Sequence, residues 1–271
     1  MPEGPELLFW RLLFTKKIIN STINKIYSYT PKEVKLPTIL QNATINNIGS
    51  KGKIVWLEID DHYIHIHLGI TGWFLILKTL EPPKTTKYVI EITKNNKTYY
   101  IYLDDQLRFS KINIYNKKQH INQLNKLGID IFSNEFTLEK FRKKIQEKNK
   151  LLASFLLDQS IFSGIGNYIK NESIYLSKLN YKIKTSELSN DDIKELYINI
   201  RFVAYSTLYE FVKDYKLDKI IPKEIINLKP SKLHVPYSYY IYSLDHTSDT
   251  NQLVHKEKVA GRDSYYVKKY I

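Results

Sequence analysis

The chain has 271 residues, 43% of them hydrophobic, which is enough for one large domain or two ordinary ones with a substantial core. Its formal net charge of +13 indicates a polyanionic partner, most simply nucleic acid, and its lack of cysteine excludes disulfides, thiolate metal sites and a cysteine nucleophile. No apolar run reaches the ~18 residues of a membrane span and the start lacks the charge of a signal peptide, so we expect neither membrane insertion nor secretion.

The first six residues, Met1-Pro2-Glu3-Gly4-Pro5-Glu6, combine a reactive group with a helix start. Removal of Met1, which a small second residue permits, would leave Pro2 with a free secondary amine. Such an amine titrates at about pH 8 and attacks carbonyl carbons to give a cationic iminium, while Glu3 beside it is placed to move protons. Residues 6–14 then predict a buried helix. The alternative is an ordinary N-terminus without chemistry.

Residues 45–115 alternate between polar and apolar side chains, the period of β-strands. Two strand pairs flank short turns at 60–62 and 95–96, and a further strand is predicted from Phe109 to Tyr115. With the N-terminal helix, these strands predict an antiparallel β-sandwich or barrel.

After about residue 117 the hydrophobic period becomes that of helices. Asn190 or Asp191 could cap the last of them, and a loop with a short helix follows over residues 216–236. Alternation then returns at 239–242, 258–260 and 265–267 and predicts a closing β-hairpin. The predicted helices lie at 136–147, 151–158, 171–179 and 191–215.

The segment from Leu157 to Tyr168, LDQSIFSGIGNY, joins two of these helices through two glycines. Asn167 opens the second helix. Exposed N–H groups at a helix start and an Asn amide form a seat for a phosphate. In the alternative interpretation, the glycines only allow two helices to pack closely at a corner.

Five separated motifs occur in one order: MPEGPE at the start, Lys53, HLGITG at 67–72, GIGN at 164–167 and Gly261-Arg262. In this combination the sequence resembles the Fpg/Nei family of DNA glycosylases and AP lyases over nearly the whole chain. Gly4 and Tyr168 are similar to the Nei-like branch of that family.

The resemblance implies an α+β fold in three parts. An N-terminal catalytic domain, residues 1–120, would contain the N-terminal helix and the antiparallel β-sandwich. Residues 130–236 would form a helix-two-turn-helix domain, and residues 237–271 a hairpin finger.

The resemblance also implies roles for particular residues. Pro2 would attack the anomeric carbon and form the Schiff base, Glu3 would act as general acid and base at the sugar, and phosphate clamps would hold a kinked backbone around the flipped nucleotide. The catalytic residues would be Pro2, Glu3, Lys53 and Arg262, the orienting acids Glu6 and Glu172, the DNA contacts His67, Asn167, Arg108 and Arg262, and the intercalating side chains Ile70, Leu107 and Phe109.

Each of these positions also has an ordinary structural explanation. These explanations are a satisfied sheet histidine for His67, a solvated turn lysine for Lys53, a helix charge for Glu172, a surface turn residue for Arg262, and core packing for Ile70 and Phe109.

The chain departs from the family at its C-terminal end, where many members carry a four-cysteine zinc finger. This sequence has no cysteine, and His234, His246 and His255 lie at spacings unlike those of a zinc site. We therefore expect a zincless finger, with no metal and no cofactor. Its packing would come from Tyr240, Tyr242, Tyr265 and Tyr266.

A second departure is the segment Asp105-Gln106-Leu107-Arg108-Phe109. The family often has two arginines before this Phe, and here Leu107 replaces one of them. The loss puts in doubt a strong preference for the base opposite the lesion.

The leading hypothesis is a bifunctional glycosylase and lyase of base excision repair, working as a monomer on damaged DNA inside the cell. By the resemblance it would remove oxidised pyrimidines and ring-opened purines and nick the strand by β,δ-elimination. A non-catalytic DNA-binding protein and an N-terminal-proline tautomerase are the alternatives. Contacts with about four phosphates predict a log–log salt slope of roughly −3 to −4, which a tautomerase would lack.

Overall fold

The computed structural model describes residues 2–30 and 34–271, which form two compact units. The first contains Pro2 and Glu6–Lys126, and the second contains Glu3–Pro5 and Leu127–Ile271. Met1, whose removal Pro2 as second residue would permit, lies outside the described residues. Of the helices described, none is long and apolar enough to cross a membrane.

The first unit contains two antiparallel sheets, and the predicted N-terminal helix with antiparallel strands is thus confirmed. Its elements are α1 (Gly4–Ile18, whose first two residues are grouped with the second unit), β1 (Thr22–Ser28), β2 (Ala43–Thr44), β3 (Asn47–Lys51), β4 (Ile54–Ile59), β5 (His62–His67), β6 (Trp73–Leu77), β7 (Thr86–Lys94), β8 (Lys97–Asp104), β9 (Lys111–Asn116) and α2 (Lys117–Asn125). The strand orders of the two sheets are β2-β1-β7-β8-β6 and β3-β4-β5-β9.

The helix α1 is buried, as its apolar sequence predicts. Trp10 packs edge-on against Trp73 and Phe74, with ring centroids 5.0 and 5.1 Å apart. The helix is therefore part of the core of the first unit. Its side chains that are at most 5% exposed include Leu7, Leu8, Phe9, Leu12, Leu13, Phe14 and Ile18.

Both predicted hairpins are confirmed, and their turns use residues that tolerate a left-handed backbone. Asp60 has φ 51° between β4 and β5, and Asn95 and Asn96 have φ 51° and 57° between β7 and β8. The strand predicted from Phe109 instead begins at Lys111, because residues 105–110 form a loop.

The second unit contains the predicted helices and the closing hairpin. Its elements are β10 (Ile129–Asp130), α3 (Leu138–Gln146), α4 (Leu152–Leu157), β11 (Phe162–Ser163), α5 (Asn167–Leu176), α6 (Asn190–Tyr215), α7 (Lys223–Asn227), β12 (His255–Val259) and β13 (Arg262–Tyr266). The pair β10–β11 is parallel and the pair β12–β13 is antiparallel.

Two predictions in this unit need correction at helix starts. The helix predicted at 171–179 begins at Asn167. The helix α6 is capped by Ser189, not by Asn190 or Asp191, because the Ser189 hydroxyl accepts the N–H of Asp192.

The prediction of a strand at residues 239–242 is wrong. The N–H groups of Tyr240, Ile241 and Tyr242 donate to the carboxylate of Glu172, at 2.7 to 2.8 Å, rather than to a neighbouring strand. A buried anion has therefore taken the donors that a sheet would use.

The closing hairpin packs on an apolar cluster, as predicted for a finger held by side chains. Tyr242 contacts Tyr265 at 5.3 Å, and Tyr266 stacks on Tyr181 at 4.9 Å. Within residues 2–30 and 34–271, no three His, Asp or Glu side chains are grouped to hold a metal. The cluster contains Tyr175, Ile241 and Val267, with Leu176, Tyr240, Val254, Tyr265 and Tyr270 against them.

Candidate functional site

The turn between α4 and α5 is shaped by one glutamine. The Gln159 amide donates to the carbonyl of Ile165 at 2.7 Å and accepts the N–H of Gly164 at 3.1 Å. Gly164 has φ 105°, which glycine adopts far more readily than other residues. Gly166 and Asn167 follow this turn at the start of α5. The two helices joined by this turn confirm the predicted helix-two-turn-helix.

The carboxylate of Glu3 lies at the N-terminus of α5. It accepts the N–H groups of Gly166 and Tyr168 at 2.8 Å and that of Ile169 at 3.2 Å, and the side chain is fully buried. Helix N-termini carry unpaired N–H groups and a partial positive charge, so they suit an anion. The predicted acid/base residue is therefore held in one position by backbone groups.

The chain next to Glu3 is fixed as well. The N–H of Gly4 donates to the carbonyl of Gly164 at 2.9 Å. Pro2 is half-buried and is joined to Glu3 by a single peptide bond.

Asn167 occupies the first turn of α5 and is buried. The exposed N–H groups predicted at this helix start are not available to a phosphate, because those of Gly166, Tyr168 and Ile169 donate to Glu3. Its Oδ1 has no hydrogen-bond partner among the described residues. A buried polar atom without a partner is costly, and rotation of the amide would place an NH₂ donor there. The orphaned end of the amide is suited to a ligand such as a phosphate oxygen.

The first unit contributes Lys53 and His67. Lys53 follows Gly52, whose φ of 57° turns the chain between β3 and β4. His67 is exposed at the end of β5, and its Nδ1 accepts the N–H of Gly69 at 3.0 Å. The pKa of His67 is lowered by desolvation and by the charges of Lys53 and Lys111. Because Nδ1 accepts an N–H, the neutral ring carries its proton on Nε2, which can donate to a phosphate.

The loop at residues 105–110 presents the predicted intercalating side chains. Leu107 is 50% exposed and Phe109 is 54% exposed, so the core-packing explanation for Phe109 is wrong. Ile70 is half-buried on the neighbouring loop. Arg108 has φ 57° and its guanidinium donates to the carbonyl of Tyr29 at 2.9 Å.

One buried carboxylate holds this loop. Asp105 accepts the hydroxyl of Thr71 and the N–H of Ser110, both at 2.6 Å, and Lys87 donates to the carbonyl of Arg108 at 2.6 Å. Burial opposes the charge of Asp105, but these donors and the charge of Lys87 outweigh it and lower its pKa. Thr71 also accepts the N–H of Leu107 at 3.0 Å, which links the two loops that carry Ile70 and Leu107.

The two predicted orienting acids differ in their surroundings. Glu6 is buried on α1. Glu172 is fully buried on α5 and accepts the Tyr237 hydroxyl at 2.6 Å besides the three N–H groups of residues 240–242. Burial raises the pKa of Glu172 despite those hydrogen bonds, and the helix-charge explanation for this residue is wrong.

Arg262 lies at the tip of the closing hairpin. The turn before it contains Ala260 and Gly261, with φ 52° and 72°, and Arg262 pairs with Val259 across it. Its side chain is exposed. The tip is open, because a Cβ added to Gly261 would meet no atom within 4 Å.

The structure thus brings together two groups of the predicted residues. Glu3, Asn167 and Glu172 meet on α5 in the second unit, and Lys53 and His67 interact in the first. The sequence missed two residues that hold neighbouring segments in place. Asp105 binds Thr71 and Ser110 and so fixes the loop at residues 105–110, and Lys170 binds β13. A carboxylate between a strand and an apolar loop was a usable sequence signal for Asp105, and no sequence signal indicated Lys170.

Comparison with family models matches both halves of the chain. Residues 1–112 match the formamidopyrimidine-DNA glycosylase N-terminal domain, and residues 127–210 match the formamidopyrimidine-DNA glycosylase H2TH domain. Among curated proteins, the formamidopyrimidine-DNA glycosylase of Oceanobacillus iheyensis is 28% identical over 222 residues, which are 79% of this chain and 77% of that protein. That of Bacillus anthracis is 29% identical over 223 residues, covering 79% of this chain and 78% of the relative.

Solved structures share the fold over nearly the whole chain. The Lactococcus lactis Fpg in complex with DNA containing an oxidized pyrimidine has a TM-score of 0.80 at 22% identity, with 98% of both chains covered. The MutM protein of Thermus thermophilus has a TM-score of 0.77 at 20% identity, with 98% of this chain and 97% of that chain covered.

Proposed function

The chain belongs to the formamidopyrimidine-DNA glycosylase family, and on that premise we propose that it excises oxidised bases from DNA through a Schiff base on Pro2. It is a DNA N-glycosylase and AP lyase of base excision repair. The observation that carries the proposal is the anchoring of Glu3 on the N-terminus of α5, one residue from Pro2. A chain that only bound DNA would need no such fixed carboxylate beside a terminal amine.

The proposed chemistry begins with the neutral amine of Pro2. Its lone pair attacks C1′ of the damaged nucleotide, the bond from C1′ to the base breaks, and the base leaves with a proton. Ring opening gives an iminium between Pro2 and C1′. Glu3, next to the amine, is placed to deliver and receive the protons of these steps.

The iminium then makes strand cleavage possible. It withdraws electrons from C2′, so a base can remove a proton there and the 3′ phosphate leaves by β-elimination. A second elimination releases the 5′ phosphate, and water frees Pro2 from the sugar fragment. The products are a one-nucleotide gap with a phosphate at each end.

Four side chains are proposed to grip phosphates around the flipped nucleotide. The orphaned amide end of Asn167, the Nε2 donor of His67, and the cations of Lys53 and Arg262 each suit a phosphate oxygen. The charges of Lys53 and Arg262 would add affinity for the DNA backbone without preference for a base sequence. A repair enzyme needs this, because damage occurs in any sequence.

The gap left by the flipped base is proposed to be filled from the loops at 69–72 and 105–110. Exposed Leu107 and Phe109, with Ile70 beside them, can insert between bases and offset part of the lost stacking. Arg108 is then the polar contact to the opposite strand. With one arginine in this loop, we expect a weak preference for the opposite base.

The proposed substrates are ring-opened purines and oxidised pyrimidines. The names of the curated relatives refer to formamidopyrimidine, and the Lactococcus lactis Fpg is described in complexes with DNA containing Fapy-dG and an oxidized pyrimidine. The similarity of Gly4 and Tyr168 to the Nei-like branch favours pyrimidines, and that assignment stays a prediction.

The test is single-turnover cleavage of duplexes that carry one Fapy-guanine, one 5-hydroxyuracil or no lesion. We expect both lesions to be excised, with phosphates at both ends of the gap, and Glu3→Gln to be slower by at least about 100-fold. An unsaturated aldehyde left on the 3′ end of the strand upstream of the gap would limit the mechanism to β-elimination. Tight DNA binding without excision of either lesion would favour the non-catalytic alternative.

A further inference from the structure

Three consecutive residues in the middle of α5 face the C-terminal part of the chain, and all three are polar and buried. Lys170 and Glu172 have no exposed surface, and Asn171 is 1% exposed. Desolvating a lysine, an amide and a carboxylate side by side is expensive unless each finds partners. All three have them: Glu172 binds residues 237–242, while Lys170 and Asn171 bind β13.

Asn171 substitutes for a neighbouring strand along the outer edge of β13. Its Nδ2 donates to the carbonyl of Asp263 at 3.1 Å, and its Oδ1 accepts the N–H of Tyr265 at 2.9 Å. These are the donor and acceptor that an adjacent strand would present. The strand β13 therefore has hydrogen-bond partners on both sides, β12 on one and Asn171 on the other. In an isolated two-stranded hairpin, each strand has a partner on one side only.

Lys170 adds two further bonds to the same strand. Its Nζ donates to the carbonyl of Asp263 at 3.1 Å and to the hydroxyl of Ser264 at 3.0 Å. Burial lowers the pKa of Lys170 to about 8, against the attraction of Glu3 and Asp263. The bonds of its ammonium to Asp263 and Ser264 offset this loss of solvation. Asp263 directly follows Arg262 in the chain.

The helix α5 therefore holds both Glu3 and the strand that carries Arg262. Its first turn holds Glu3, and its next turn holds β13, whose first residue is Arg262. We propose that Lys170 and Asn171 are positioning residues that fix Arg262 relative to Glu3 by hydrogen bonds, in a finger that has no cysteine ligands. The functional part of this inference rests on the proposed function, in which Arg262 grips a phosphate.

The structural part is tested in the free protein by hydrogen exchange. Lys170→Met keeps the length of the side chain and removes its donors, and Lys194→Met is the matched control, since Lys194 is an exposed lysine of α6. We expect the amides of Ser264 and Tyr265 to exchange at least 10-fold faster in Lys170→Met while those of α6 stay protected. Unchanged exchange in β13 would overturn the proposal.

The functional part is tested by a double-mutant cycle with Arg262→Ala, measured as affinity for a duplex with an uncleavable abasic-site analogue. If Lys170 acts through Arg262, each single variant weakens binding about 10-fold and the double variant is no weaker than Arg262→Ala. Each would also reduce the salt slope by about 0.9, the contribution of one phosphate, and Lys194→Met would not.

Two results would overturn this functional part. Multiplicative losses of about 100-fold in the double variant would show that Lys170 acts independently of Arg262. Unaltered binding by Arg262→Ala alone would remove the phosphate role of Arg262, a failure that the exchange measurement distinguishes because it uses no DNA.

Discussion

Replacing Gly166 by Ala adds one methyl group where the Glu3 carboxylate binds the N-terminus of α5. Gly166 has φ −125° and ψ −156°, so an alanine there is not forced into the left-handed region. The space, however, is taken, because the new Cβ would lie 2.2 Å from Cδ and 2.3 Å from Oε1 of Glu3. The carboxylate would have to retreat by more than about 1 Å to reach ordinary contact distance.

The size of the effect follows from the bonds that this movement breaks. Glu3 accepts three N–H groups at 2.8 to 3.2 Å, and a retreat of about 1 Å takes most of them out of hydrogen-bond range. Hydrogen bonds to charged groups contribute about 1.5–3 kcal/mol each, so we expect the free energy of unfolding to fall by about 3 kcal/mol. The same energy lost from the transition state would slow base excision about 100-fold.

The assay is urea unfolding of four proteins: the wild type, Gly166→Ala, Glu3→Ala and the double variant. The three atoms nearest the new methyl all belong to the Glu3 side chain, so the double variant should be within about 0.5 kcal/mol of Glu3→Ala. Strictly additive losses would show that the methyl does not act through Glu3, and a Gly166→Ala protein that keeps both its stability and its excision rate would show that the Glu3 carboxylate need not be fixed there.

Two further predictions concern the first unit. His65 and His120 are buried with Nε2 and Nδ1 2.7 Å apart, and burial with the charge of His120 lowers the folded-state pKa of His65 from 6.5 to about 4. Since the folded pKa of His65 is the lower one, its contribution to the free energy of unfolding is complete above pH 6.5 and is lost as pH falls toward 4. Urea unfolding should show a loss of about 2–3 kcal/mol over this range. His65→Gln should reduce that loss, and part of it should remain because burial also lowers the pKa of His120. Asp105→Asn should loosen the loop bound to Thr71 and slow excision from duplex DNA about 10-fold, yet leave cleavage of a single-stranded abasic site unchanged; equal losses on both substrates would contradict a wedge role.

Local signals predicted much of the first unit, and their failures have physical causes. The hairpins were readable because alternation and turn residues act between near neighbours. The strand β1 was missed because a bulge between Ile23 and Lys25 breaks the period of two. The helix α2 was missed because only His120 of its nine residues is buried.

The motifs located most of the candidate site, but they could not show what holds it together. Glu3 finds its partners 163 to 166 residues away, and no local pattern carries that information. Lys170 and Asn171 carry no sequence signal for burial, and their partners on β13 lie more than 90 residues away in the chain. The tyrosines at 239–242 alternate like a strand, but the buried carboxylate of Glu172 takes their N–H groups.

Borohydride trapping on a duplex with one abasic site tests most directly whether Pro2 forms a Schiff base. The wild type, Pro2→Gly and a form with extra residues before Pro2 would be compared at equal DNA occupancy. We expect a covalent adduct in the wild type, a weaker one in Pro2→Gly and none in the extended form, because only a terminal amine can form the Schiff base. An adduct of undiminished yield in the extended form, or none in a correctly processed wild type that binds the duplex, would show that Pro2 is not the nucleophile.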